Sequence, residues 1–301
     1  MITIFFMALL LISFFSMSLY SFFHEKKDII FLLLLTLPLL YIIRSSWYYS
    51  AISILFLITP IIFFKRVQFI QLMCFSIFGS ILLAYFILNF FLVYEIPNLL
   101  SIVIFSVFLM CVLAIMGIFE NDLKKYLIYS NAIQLIFVLL DLGIAKLSQK
   151  ITTLGTIQIF NYSFAGLLLF LTLGILSRDN RLKKISSLQG SYYGNKLNGI
   201  FAVIAALSLA GVPGLNLFVS EWFLFKASFI INPIITIFGI FVALLLFIMY
   251  FKIVNVLLVG EVKVKEVLIR PLTYLNAIFA IICLVFGLLP QIQLYILDMV
   301  L

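Results

Sequence analysis

The stretch LSLAGVPGLNLFVSEWFLFKA, Leu207 to Ala227, decides how this chain is read. It is apolar almost throughout, yet Pro213 and Gly214 interrupt it, and a carboxylate, Glu221, follows. A continuous helix from Lys196 to Ile231 would run ~54 Å, against a bilayer core about 30 Å thick. Proline removes a backbone donor and glycine accepts unusual dihedrals, so AGVPGLN reads as a break, with a simple proline kink as the alternative. Broken helices at membrane depth occur only inside protein or beside a hydrated cavity, and in transporters they often carry the substrate site. Asn216, beside the break, has the side chain to satisfy freed backbone groups. Glu221 lies about 11 residues, or ~16 Å of helix, from the outer end of its span. Its stem is too short to reach water from there. It is either a protonated acid hydrogen-bonded across helices or an ion site, and the break beside it favours the second.

The rest of the chain justifies treating lipid as the solvent. Of 301 residues, 66% are hydrophobic and 10% charged, whereas soluble domains carry about 25% charged residues. The mean hydropathy is +1.32. The apolar runs are too long and uniform for barrel strands, so the expected fold is an all-α polytopic membrane protein of about ten helices. They fall near 2–23, 28–43, 47–64, 67–94, 98–119, 126–145, 151–177, 197–231, 234–257 and 270–297, the first taken as a span rather than a signal peptide. Pro290 is expected to end the last helix early and leave an interfacial tail.

The net charge of +8 does not point to nucleic acid, because the basic residues sit in short clusters between apolar runs. Counted over alternate loops, one side holds fourteen Lys and Arg, including Lys26, Lys65, Lys124 and Arg178, while the other holds Arg44, Lys146 and Lys150. That asymmetry places both termini outside the cytoplasm, in a multi-pass protein of the cell membrane. Cys74, Cys111 and Cys283 lie far apart within apolar runs, and His24 sits in a polar loop. With no CxxC, haem-ligand pair or glycine-rich nucleotide loop, neither cofactor, metal nor catalytic residue is expected in this chain.

Other polar residues fall inside spans. Ser130, Asn131 and Gln134 form a stripe in YLIYSNAIQLIFVLLDLG, with Ser130 and Gln134 at i, i+4 on one face. Such residues either tie helices together or line a hydrated path. Asp141, about one turn from the end of the same span, is an interfacial acid or a second ion site. Lys252 lies near the cytoplasmic end of the ninth span, and Lys226 can snorkel.

Three segments together resemble a known family. DLKKYLIYSNAIQLIFVLLDLGIA (Asp122 to Ala145), FNYSFAGLLLFLTLGIL (Phe160 to Leu176) and LSLAGVPGLNLFVSEWFLF (from Leu207) stand in the order and spacing of three helices in the antiporter-like subunits of respiratory complex I. Mrp-type Na⁺/H⁺ antiporter subunits and membrane-bound hydrogenases and sulfur reductases share that pattern. The resemblance spans about residues 98–295. It implies a four-helix N-terminal membrane region at 1–97, an antiporter-type five-helix repeat at 98–257 with its broken helix at 197–231, and a cytoplasmic loop with a closing helix at 258–301. It also implies a redox-driven complex whose Fe–S or other redox centres lie in partner subunits, integral membrane neighbours, and H⁺ or Na⁺ as the translocated ion.

On that pattern Glu221 matches the ionisable residue of the second broken helix. The helix that carries His and Lys in the family has Tyr162 and Gly166 at the matching positions, leaving Asn161 and Tyr162 as weaker substitutes. The N-terminal signature of the first repeat is not found, so that half-channel reads as lost or eroded. The subunit is then expected either to move ions at Glu221 or mainly to link its neighbours. A free-standing secondary transporter is the competing class, and it predicts an internal repeat that the chain does not display.

Overall fold

A computed structural model describes residues 98–148, 153–177, 184–260 and 270–300, together with Ile77, Ser80, Ile81, Ala84, Ile87 and Leu88. The first three expected spans, and nearly all of the fourth, lie outside the described residues.

The described chain forms α1 (Leu99–Phe119), α2 (Leu123–Leu147), α3 (Thr153–Leu176), α4 (Lys196–Leu209), α5 (Asn216–Ile231), α6 (Pro233–Leu258), α7 (Arg270–Leu288) and α8 (Pro290–Val300). A 3₁₀ turn at Ile185–Leu188 and a helical turn at Ser191–Gly194 precede α4. Four helices, α1, α2, α3 and α6, are long and apolar enough to cross a membrane, and a fifth span results if α7 and α8 count as one broken unit. The protein is therefore an all-helical, multi-pass membrane protein.

Local chemistry sets the boundaries. Asp122 opens α2 by accepting hydrogen bonds from the Lys124 and Lys125 amides at 2.9 and 3.2 Å. Asn232 opens α6 by accepting from the Ile234 amide at 2.9 Å, with Pro233 at the first helical position. Both side chains satisfy amides that a helix start leaves without partners. The basic connection before α4 is more than a solvated loop. Ile185 and Leu188 are buried, and the Gly190 amide donates to the Val256 carbonyl at 3.2 Å.

The bundle is built around α3. It packs against α2, α4, α5, α7 and α8, and its membrane-crossing stretch is wholly buried. α1 and α6 form the rim, exposing Phe105, Phe108, Ile237 and Phe241 among other apolar side chains. Such faces are stable against lipid or another membrane helix, not water.

The expected single span at 197–231 is two helices, α4 and α5, joined by the AGVPGL segment. Gly211 takes φ +68°, the Val212 amide donates to the Leu207 carbonyl at 3.1 Å, and the Gly211 amide to Ser208 at 3.0 Å. This is a Schellman termination, which satisfies the last carbonyls of α4. A turn follows, with Pro213 second, Gly214 third at φ +90°, and the Leu215 amide donating to Val212 at 3.2 Å. Pro followed by Gly at positive φ is the type II pattern. The chain stops one helix and starts another, which excludes the proline-kink alternative.

The expected interruption at Pro290 is also present: the axis turns by 101° between Leu272–Leu288 and Pro290–Ile296.

Candidate functional site

Around the break, α2, α3, α5 and α6 turn their polar side chains inward. Ser130, Gln134 and Asp141 fall within one narrow stripe of α2, at spacings of four and seven residues. All three are buried. Ser130 Oγ shares a 2.7 Å hydrogen bond with the Tyr250 hydroxyl of α6, and Gln158 Nε2 of α3 donates to Gln134 Oε1 at 2.8 Å. Asn131, one residue off the stripe, accepts through Oδ1 from Ser80 Oγ at 2.6 Å and from the Tyr162 hydroxyl.

Asn161 and Asn216 clasp α3 to α5. Asn161 Nδ2 donates to the Asn216 carbonyl at 2.8 Å, and Asn216 Nδ2 donates to the Asn161 carbonyl at 3.0 Å. Asn216 Oδ1 accepts from Ser208 Oγ on α4, and Asn161 Oδ1 accepts from Gln293 Nε2 of α8 at 2.7 Å. Asn216 therefore serves α3 and α4 side by side rather than the carbonyls freed at the break, which the backbone of Gly211 and Val212 already satisfies.

Glu221 sits in the second turn of α5, 3% exposed, and its Oε1 has no hydrogen-bond partner. Its carboxylate folds over Gly211: a Cβ there would meet Glu221 Cδ at 2.7 Å and Oε1 at 2.8 Å. Asp141 is fully enclosed, and neither of its carboxylate oxygens has a hydrogen-bond partner. It is not solvated at a span end, because α2 continues to Leu147 and neighbouring protein covers it.

Lys252 is not brought into this belt. Its Nζ donates to the Ile118 carbonyl at 2.9 Å and the Glu120 carbonyl at 2.5 Å, at the C-terminal end of α1. A cation is favourable there because the last carbonyls of a helix lack intrahelical partners and carry its negative pole.

Tyr162 and Gly166 explain each other. A Cβ at Gly166 would approach Ile77 Cδ1 and the Tyr162 ring, each at 2.9 Å. The tyrosine ring thus occupies the space into which a side chain at 166 would point.

Sequence reading missed Tyr250, Gln158, Ser208 and Gln293 as members of the belt. Gln158 carried a usable signal, lying three residues before Asn161 on the same helix. Tyr250 was hidden among its apolar neighbours, and Gln293 lay in the segment read as a tail.

Comparison with known proteins agrees with this architecture. Residues 67–247 match the family model described as NADH:quinone oxidoreductase/Mrp antiporter, TM. A probable K⁺/H⁺ antiporter protein of Rhizobium meliloti is 31% identical over 129 residues, covering 41% of this chain and 12% of that protein. NADH-quinone oxidoreductase subunit N of Hirschia baltica is 26% identical over 136 residues, covering 45% and 28%. In each case the aligned stretch spans under a third of the relative's length. Among solved structures, the membrane-bound sulfane sulfur reductase, an archaeal respiratory membrane complex, superposes with a TM-score of 0.64 at 15% identity over 76% of this chain and 48% of the other. The Mrp complex from a Dietzia species gives 0.57 at 15% identity over 97% and 64%. These likenesses establish a shared fold, and both come from multisubunit membrane assemblies. The family match covers more than half of the residues, so the chain belongs to the NADH:quinone oxidoreductase/Mrp antiporter transmembrane family, as an antiporter-like membrane subunit.

Proposed function

We propose that this chain is a membrane-arm subunit of a redox-driven, complex I-type respiratory complex, and that Glu221 takes part in moving H⁺ or Na⁺ through it. One observation carries the reading: a carboxylate, buried beside a helix that ends and restarts at membrane depth, holds an oxygen without a hydrogen-bond partner. An acid kept only to tie helices together would have both oxygens engaged, since an unsatisfied buried polar group costs about 1–3 kcal/mol. The belt of Ser130, Gln134, Asn161 and Tyr162 supplies polar surroundings through which water or a proton can approach. Glu221 then works in a half-channel opening to one side of the membrane. Redox centres, Fe–S clusters among them, belong to partner subunits, this chain contributing helices, lipid contacts and the ion site, with both termini outside the cytoplasm.

A second reading has its own observation. The space beside Gly166 is filled by Ile77 and Tyr162, so no side chain there extends the polar belt further. On this reading the subunit mainly joins its neighbours. A free-standing cation antiporter is the remaining alternative.

The test uses membranes containing the tagged chain. Mild-detergent purification is expected to recover other integral membrane subunits and redox-active proteins; a single, monomeric, transport-competent chain would eliminate the complex I-type reading. In vesicles of the assembled complex, Glu221→Gln is expected to cut redox-driven cation gradient formation at least several-fold with the subunit composition unchanged. An unaltered gradient would leave the linking role.

A further inference from the structure

We propose that the groove between the N-terminal halves of α1 and α6 binds one acyl chain of a phospholipid from the leaflet on that side of the membrane. Only the membrane-spanning character of the two helices is required, not the role of Glu221.

The groove encloses about 380 Å³. Val107 and Ile235, both buried, form its floor, while Phe108 and Phe238, both exposed, flank it. Leu100, at the start of α1, and Asn232, which opens α6, mark one end, and Cys111 marks the other. α1 and α6 pack against each other, and each contributes its first turn to the groove. They therefore start at the same membrane face, and the groove runs inward from it. Apart from Asn232, the lining side chains are aliphatic, aromatic or thiol. Such a surface cannot compensate a charged or strongly polar ligand for its lost water.

Depth and width together select the occupant. From Leu100 to Cys111 is eleven residues, or ~16 Å of helix, about one leaflet of a core about 30 Å thick. Spread over that length, a volume of about 380 Å³ leaves a cross-section of only ~23 Å². A helix with its side chains is about 10–12 Å across, several-fold too large in section. A single extended hydrocarbon chain is slender enough, and it ends where the groove ends.

The mouth carries a polar group placed for the rest of the lipid. Asn232 Oδ1 accepts from the Ile234 amide at 2.9 Å to cap α6. Its Nδ2 is then the donor it can offer to an ester or phosphate oxygen at the membrane face. Within hydrocarbon no hydrophobic force draws a chain into the groove, since the surrounding lipid is equally apolar. Packing holds it instead: a chain lying against Val107 and Ile235 gains dispersion contacts that an unfilled groove forfeits. The bound lipid joins α1 to α6 at the rim of the bundle.

Photo-crosslinking of the assembled complex tests this. The complex is placed in vesicles of phosphatidylethanolamine and phosphatidylglycerol, doped with phosphatidylethanolamine carrying a diazirine in one acyl chain. After transfer to mild detergent and washing, the retained lipid is photolysed and its adducts are located by peptide mass mapping. A diazirine near the chain end is expected on the peptide bearing Cys111, and one near the ester on those bearing Leu100 or Asn232. The Cys111 yield is expected to exceed that at Phe241, exposed on α6 outside the groove, at least about threefold. Val107→Trp, which fills the floor, is expected to cut the Cys111 yield at least about threefold and leave Phe241 unchanged. Equal yields at Cys111 and Phe241 would reveal a general lipid coat and overturn the proposal, as would an unchanged Cys111 yield in V107W. A groove without adducts means that protein rather than lipid covers it, and also overturns the proposal. If V107W fails to assemble, the wild-type complex decides through the ratio of Cys111 to Phe241 and the depth order of the two probes.

Discussion

A methyl group at Gly211 would run into the Glu221 carboxylate, and the backbone there sits at φ +68°. One residue thus ends α4 and leaves room for the acid. Gly211→Ala is expected to destabilise the protein by about 1–3 kcal/mol through strain at positive φ, and to displace Glu221. Thermal melting of the purified complex checks the first effect, and redox-driven cation uptake the second. Lys252 marks the opposite kind of residue, a charge within a span that does structural work. Lys252→Met removes the donor to two carbonyls at the end of α1 and is expected to cost about 1–2 kcal/mol of stability. The cation gradient should survive in that variant, and its loss would move Lys252 into the transport path. Glu221 and Lys252 were both legible in the sequence as charges among apolar residues. Their surroundings were not, because they depend on which groups the fold places opposite each charge.

The broken elements set the geometry at the next scale. α7 presses on the α4–α5 break at a glycine: a Cβ at Gly287 would collide with the Gly214 carbonyl and Leu215 Cα. Those neighbours are backbone and cannot swing aside. α8 then turns back so that Gln293 reaches Asn161, itself clasped to Asn216. α7 and α8 are thereby tied to the start of α5, the helix that carries Glu221. Gly287→Ala is expected to cost about 1–3 kcal/mol as overpacking and to lower coupled transport although it touches no ionisable group. Normal coupling in a stably assembled G287A complex would show that the elbow is only scaffolding. Pro213, Gly214 and Pro290 announced both interruptions, since proline and glycine act locally. The reciprocal Asn161–Asn216 clasp joins residues 55 positions apart, and no local pattern foretells it. The burial of Asp141 was equally hidden, because it depends on α2 continuing to Leu147 and on what packs over its last turns.

At the scale of the whole molecule, the described bundle divides into an enclosed centre and apolar outer faces. α3 is enclosed on all sides, whereas α1 and α6 present aromatic and branched apolar side chains outward. Apolar faces of that size are stable against lipid or another membrane helix. Composition alone made this legible at the coarsest level, as did the fold class, because a chain with 10% charged residues has few places for water. Placing Arg on the outward faces of α1, for instance Phe105→Arg and Phe108→Arg together, is expected to reduce recovery of the assembled complex several-fold. Native-gel analysis reads that loss directly, and full recovery would mean that this face meets neither lipid nor a partner.

If Glu221 carries cations in an assembled, redox-driven complex, removing its charge must change how many cations the complex moves. The most direct test is the number of cations moved per electron transferred, measured in vesicles of the intact complex with wild-type chain and with Glu221→Gln. A lower ratio is expected in E221Q while subunit composition is preserved. An identical ratio in the two complexes would contradict that role.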